Sequence, residues 1–151
     1  MGCMTDKIEK RVFLRATRAK VWRAISDSKQ FGAWFGVAFD EPFVAGKPVR
    51  GRVTMKSHEN LPFAMDIVAL EPERYLAWRW HPAAIDPNVD YSHEPTTLVE
   101  FEIADADGGC QLTMRETGLD KIPEARRATV LRMNTAGWDA QAINIEKYLA
   151  S

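Results

Sequence analysis

Through most of this chain apolar residues alternate with polar ones, and near its end their spacing changes to three and four. From Pro123 to Leu149, one helical face collects Val130, Asn134, Gly137, Trp138, Gln141 or Ala142, Ile145 and Leu149. The opposite face carries Arg126, Arg127, Arg132, Asp139, Glu146 and Lys147, which suit water. Pro123 fits a first helical position, and Asp120 is a candidate cap. The predicted helix runs roughly 26 residues, about 39 Å at 1.5 Å per residue. No other segment is long enough to partner it, so its stripe must be buried against a sheet. Gly137 lies inside it, where glycine costs roughly 1 kcal/mol relative to alanine. Close approach of a strand or ring is the expected reason. The alternative is space kept for a ligand beside Trp138.

The period-two stretches predict strands. Lys7 to Leu14 puts Ile8, Val12 and Leu14 on one face. Two short helices follow, Ala19 to Ile25 after Thr17 and Lys29 to Phe35 before Gly36, a brace for one end of a sheet. Val49 to Lys56 turns Val49, Gly51, Val53 and Met55 inward. Phe63 to Leu70 does the same with Phe63, Met65, Ile67 and Ala69, and Tyr75 to His81 with Leu76, Trp78 and Trp80. Thr97 to Ile103 and Cys110 to Glu116 complete the set, with Phe101, Leu112 and Met114 inward. The turns Glu71-Pro-Glu-Arg74 and Asp105-Ala-Asp-Gly-Gly109 make the strands an antiparallel meander. The fold class predicted is α+β: a curved antiparallel sheet of about six to seven strands wrapped around a long C-terminal helix. One helix cannot cover so wide a sheet, so a concave, aromatic-lined space is expected between them.

Composition narrows the function without naming it. The length of 151 residues is near the mode for one domain, and no linker or repeat divides it. A net charge of −1 gives no electrostatic reason to expect nucleic acid or an anionic membrane. No apolar run approaches the roughly 20 residues of a membrane helix. Met1 to Lys10 lacks a hydrophobic signal core. With Cys3 and Cys110 as two free thiols, a cytoplasmic protein is the simplest expectation.

The same segments resemble a known family. Ala19-Lys-Val-Trp-Arg-Ala-Ile25, Phe31-Gly-Ala-Trp-Phe-Gly36, Leu70-Glu-Pro-Glu-Arg-Tyr-Leu76 with Trp78-Arg-Trp80, Thr96-Thr-Leu-Val-Glu-Phe101 and Gly137-Trp138 look like the START-like (SRPBCC) superfamily. Within it they are similar to the bacterial branch related to the activator of the heat-shock chaperone ATPase, an Aha-type domain. The resemblance implies a helix-grip fold with a hydrophobic cavity. Its members' roles range over ligand carriers, polyketide cyclases and co-chaperone domains, and fold does not decide among them.

The expected function is binding of a small hydrophobic or aromatic molecule between sheet and C-terminal helix. The expected lining is Trp34, Phe35, Met55, Met65, Trp78, Trp80, Phe101, Met114, Met133, Asn134 and Trp138. Trp34 and Phe35 should stand at one mouth. The connection from His81 to Pro95 is long enough for a lid or binding loop. It adds His81, Tyr91 and His93, the proton carriers of any chemistry. The competing expectation for the inward residues is a filled core. The two alternatives to a binding domain are a co-chaperone-type domain with a chaperone partner, and a cyclase- or hydrolase-like enzyme. No cofactor is expected, and the histidine spacing gives no metal site. Asn134 is expected to cap a backbone group, the alternative being an amide pointed at a ligand, and Glu116 to bend into water from its strand end, the alternative being a buried carboxylate on the Leu112 and Met114 face. The Arg126-Arg127 pair is expected on a solvated face. The protein should be a monomer or a homodimer through a sheet edge.

Overall fold

The computed structural model describes residues 7–151. Cys3 lies outside the described residues. The chain opens with β1 (Lys7–Leu14) and turns into α1 (Arg18–Ser26) and α2 (Ser28–Phe35). Thr17 caps α1 by accepting the Lys20 amide, and Asp27 both ends α1 and caps α2 by accepting the Lys29 amide. Each such cap is worth about 1 kcal/mol. Gly36 closes α2 in the left-handed region at φ 96°, where a side chain would be strained.

The strands β2 (Val37–Phe39), β3 (Pro48–Val53), β4 (Pro62–Glu71), β5 (Tyr75–Trp80), β6 (Thr97–Ala106) and β7 (Gly109–Thr117) follow, then α3 (Glu124–Ala150). All seven strands form one antiparallel sheet in the order β1-β7-β6-β5-β4-β3-β2. This is the α+β helix-grip arrangement that the alternation and the terminal helix predict.

The alternation places Val49, Met65, Ile67, Leu76, Trp78, Val99, Phe101, Leu112 and Met114 on the concave face, all buried. α3 answers with Val130, Trp138, Ala142, Ile145 and Leu149. The helix lies along β1 and against α1 and α2, so it covers one flank of the sheet and leaves β3, β4 and β5 facing it across a gap. Phe31 of α2 fills the junction, with Trp34, Phe35, Phe43, Trp78 and Phe101 all within 6.4 Å centroid to centroid.

Several details differ from the sequence expectations. β3 stops at Val53, three residues early, and Met55 stands at the head of a 3-10 turn with half its surface exposed. β2 is too short, at three residues, to show alternation. Pro123 is the cap of α3 and not its first helical residue, and Asp120 lies in a separate 3-10 turn.

Candidate functional site

Glu116 sits one residue before the end of β7, on the face it shares with Leu112 and Met114, and is fully buried. It does not bend into water. Its Oε1 accepts the Trp138 indole N–H at 2.9 Å and the Asn134 amide Nδ2 at 2.9 Å. Its Oε2 accepts the Trp80 indole N–H at 2.9 Å and the Thr97 hydroxyl at 2.6 Å. A buried carboxylate is tolerable only when its lone pairs are met. Here four neutral donors from β5, β6 and α3 meet them. The network also ties the terminal helix to the centre of the sheet.

Above this cluster opens a pocket of about 710 Å³. One wall is α3, through Met133, Asn134, Gly137, Trp138 and Gln141. The other is β3, β4 and the end of β5, with Phe63 and Trp80, and Phe35 closes the inner end. Gly137 has no heavy atom within 4 Å of where a Cβ would stand. No strand or ring packs against Gly137, contrary to the expectation of close approach; it faces open space beside Trp138. Asn134 does not cap a backbone group; it bonds Glu116.

The predicted residues divide into three groups. Phe35, Met55, Trp80, His81, Met133, Asn134 and Trp138 line the pocket. Met65, Trp78, Phe101 and Met114 are at most 1 % exposed and form the packed core behind it. Trp34 does not stand at the mouth; it is buried and donates its indole N–H to Ala24 O. Tyr91 and His93 lie away from the pocket, His93 exposed beside Asp90 and Tyr91 beneath Arg126, so the three proton carriers do not converge.

The His81 to Pro95 connection reaches the pocket through His81, Ala83, Ala84 and Ile85. Arg126 holds it down. Its guanidinium pairs with Glu94 at 2.9 Å, donates to Pro82 O at 3.3 Å and lies 4.8 Å from the Tyr91 ring centroid. Arg127 bonds Ile122 O, so neither arginine is a bare solvated charge. Sequence alone missed Glu116 and Thr97 as parts of the site, and offered the space beside Gly137 only as the second of two readings. The one available signal was that Glu116 keeps phase with Leu112 and Met114.

Among the described residues, no cluster of His, Cys, Asp or Glu could hold a metal ion, and no helix is long and apolar enough to cross a membrane. Burial raises the Cys110 thiol above its ordinary value, and its Sγ donates to Ala16 O.

The family model described as Activator of Hsp90 ATPase homolog 1-like protein matches residues 15–150. No curated relative matches at a significant level. Among solved structures, DynU16, from the dynemicin biosynthetic locus, is 21% identical with a TM-score of 0.74, covering 98% of this chain and 48% of its own. The present chain thus spans about half the length of that relative. Protein MLL2253 of Mesorhizobium loti is 19% identical with a TM-score of 0.74, covering 95% of this chain and 96% of its own. The Aha1 dimer from Colwellia psychrerythraea is 14% identical with a TM-score of 0.72, covering 97% of this chain and 96% of its own. Likeness at these identities establishes a shared fold.

Proposed function

The chain belongs to the Activator of Hsp90 ATPase homolog 1-like family, and on that premise we propose that it binds a small, largely apolar molecule in the pocket between α3 and β3 to β5. The observation that carries this reading is Gly137. A glycine inside a long helix forgoes about 1 kcal/mol of helix stability, and here no neighbouring atom comes near enough to require it. Its missing side chain leaves room next to Trp138, in a space walled by Phe35, Phe63 and Trp80. Pockets of several hundred Å³ with aromatic walls and a few fixed polar groups suit small organic ligands.

Binding is preferred to turnover because the two histidines that line the pocket, His58 and His81, are bonded to Ser57 and to Glu94 O and not to each other or to a carboxylate. The test is mass spectrometry of the protein purified from its own host under native conditions, together with displacement of a bound hydrophobic dye. A retained mass that competes with the dye is the expected result. No retained mass and no dye binding would remove the proposal.

A further inference from the structure

A second hollow of about 480 Å³ opens beside the main pocket, between the end of α2 and the last turns of α3. Phe35 and Met55 line both spaces, so these two residues form the partition between them. Its two sides differ. On the helical side it is fixed. Phe35 is buried, and the Gln141 amide donates to its carbonyl at 2.9 Å while accepting from Asn144 at 3.0 Å. Gln141 lines the main pocket and Asn144 the second hollow. On the sheet side stands Met55, 48 % exposed. Its Cγ, Sδ and Cε lie 2.9, 3.4 and 3.9 Å from where a Cβ on Gly36 would stand. The Met55 side chain therefore rests on a bare backbone, and at φ 96° residue 36 suits no side chain that could hold it there. A thioether with three rotatable bonds swings off such a seat at little cost.

We infer that the second hollow is a subsite for the polar end of a chain-like ligand, an unbranched long-chain carboxylate whose apolar tail lies in the main pocket and whose chain passes beneath Met55. The inference rests on the pocket reading above and names its ligand class. Charge sets the polar end. Among the described residues Lys147 is the one charged residue lining this hollow, beside Thr54, Asn144 and Tyr148, and it makes no hydrogen bond or ion pair with them. Distance sets the shape. Between Trp138 in the main pocket and Lys147, α3 rises about 14 Å at 1.5 Å per residue. A compact ring system does not bridge that span, and an extended alkyl chain does.

Stearic acids carrying a nitroxide near the carboxylate or near the tail end test it, with the amide signals of the full chain read by NMR. The carboxylate-side label is expected to broaden Gly36 and residues 144–148 most strongly, and the tail-end label residues 134–138. In Met55→Trp, where a larger ring fills the passage, the carboxylate-side label should no longer favour residues 144–148, while a hydrophobic dye still binds. The comparison of the two labels on the unmodified protein stands by itself if that variant does not fold. Broadening by both labels centred on residues 134–138 overturns the second subsite and leaves the pocket standing. So does a carboxylate-side label that acts most strongly on Arg50 and Arg52, at the opposite rim. A dye that binds where neither stearate does overturns the ligand class alone. Failure of dye and stearates alike overturns the pocket reading together with it.

Discussion

Trp138 of the terminal helix donates its indole N–H to the buried carboxylate of Glu116 on β7 at 2.9 Å, while Trp78, its neighbour at 6.3 Å between ring centroids, has no partner for its own N–H. The two rings are equally interior, yet one completes a polar network and the other leaves a donor unmet. Removing the first takes one of two donors from Glu116 Oε1; removing the second relieves an unsatisfied group. Trp138→Phe should therefore be more destabilising than Trp78→Phe by about 1–3 kcal/mol, for the same volume lost. Urea unfolding of the two variants, read as midpoints at constant slope, decides it. Equal losses would mean that the Glu116 bond adds nothing net.

Gly137 separates stability from binding. Gly137→Ala should raise stability by roughly 0.5–1 kcal/mol, because the added methyl meets no neighbour and the helix gains. Gly137→Phe should keep the fold and abolish dye binding by filling the space beside Trp138. Thermal melts and dye titration on the same samples measure both. A Phe variant that still binds the dye would place the ligand elsewhere.

Arg126 anchors the loop that borders the pocket. Ala83 in that loop has a positive φ of 52°, a conformation that needs outside support. Arg126→Met removes the Glu94 pair, the bond to Pro82 O and the contact with Tyr91 together. Amide hydrogen exchange across residues 82–94 should quicken by about tenfold or more, with the sheet strands unchanged. Unchanged exchange would show that the prolines alone hold the loop.

On the convex face, Arg115 of β7 bonds Glu9 of β1 and Glu102 of β6. The Arg115 guanidinium holds the Glu9 carboxyl below its ordinary value. A carboxylate with a lowered folded value adds stability above its unfolded value and loses it as pH falls through the folded one. The gap in melting temperature between the unmodified protein and Arg115→Met should thus be full at neutral pH. It should shrink in acid, once Glu9 is protonated in both states. A gap that stays constant down to acid would exclude the ion pair as its source.

Much of the architecture is legible in the residue order. Alternation over Lys7 to Leu14 and from Phe63 onward locates five strands within a few residues, and Thr17, Asp27 and Gly36 bound the two short helices by their capping chemistry. The short β2 escapes because three residues cannot display a period, and the alternation overstates β3 because Met55 continues it after the pairing has ended. The stripe from Val130 to Leu149 identifies the face of α3 that meets the sheet.

Which inward residues wall the pocket and which fill the core depends on where α3 rests, and no local pattern records that. Because the helix lies along β1, Phe101 and Met114 pack solid beneath it, whereas Trp80 and Phe35 keep an open side. The partners of Glu116 come from β5, β6 and α3, 18 to 36 residues away. Periodicity determined that Glu116 shares a face with Leu112 and Met114. Only strand register and helix placement decided that donors would be waiting there, because a hydrogen bond is set by distances across the fold and not by spacing along the chain.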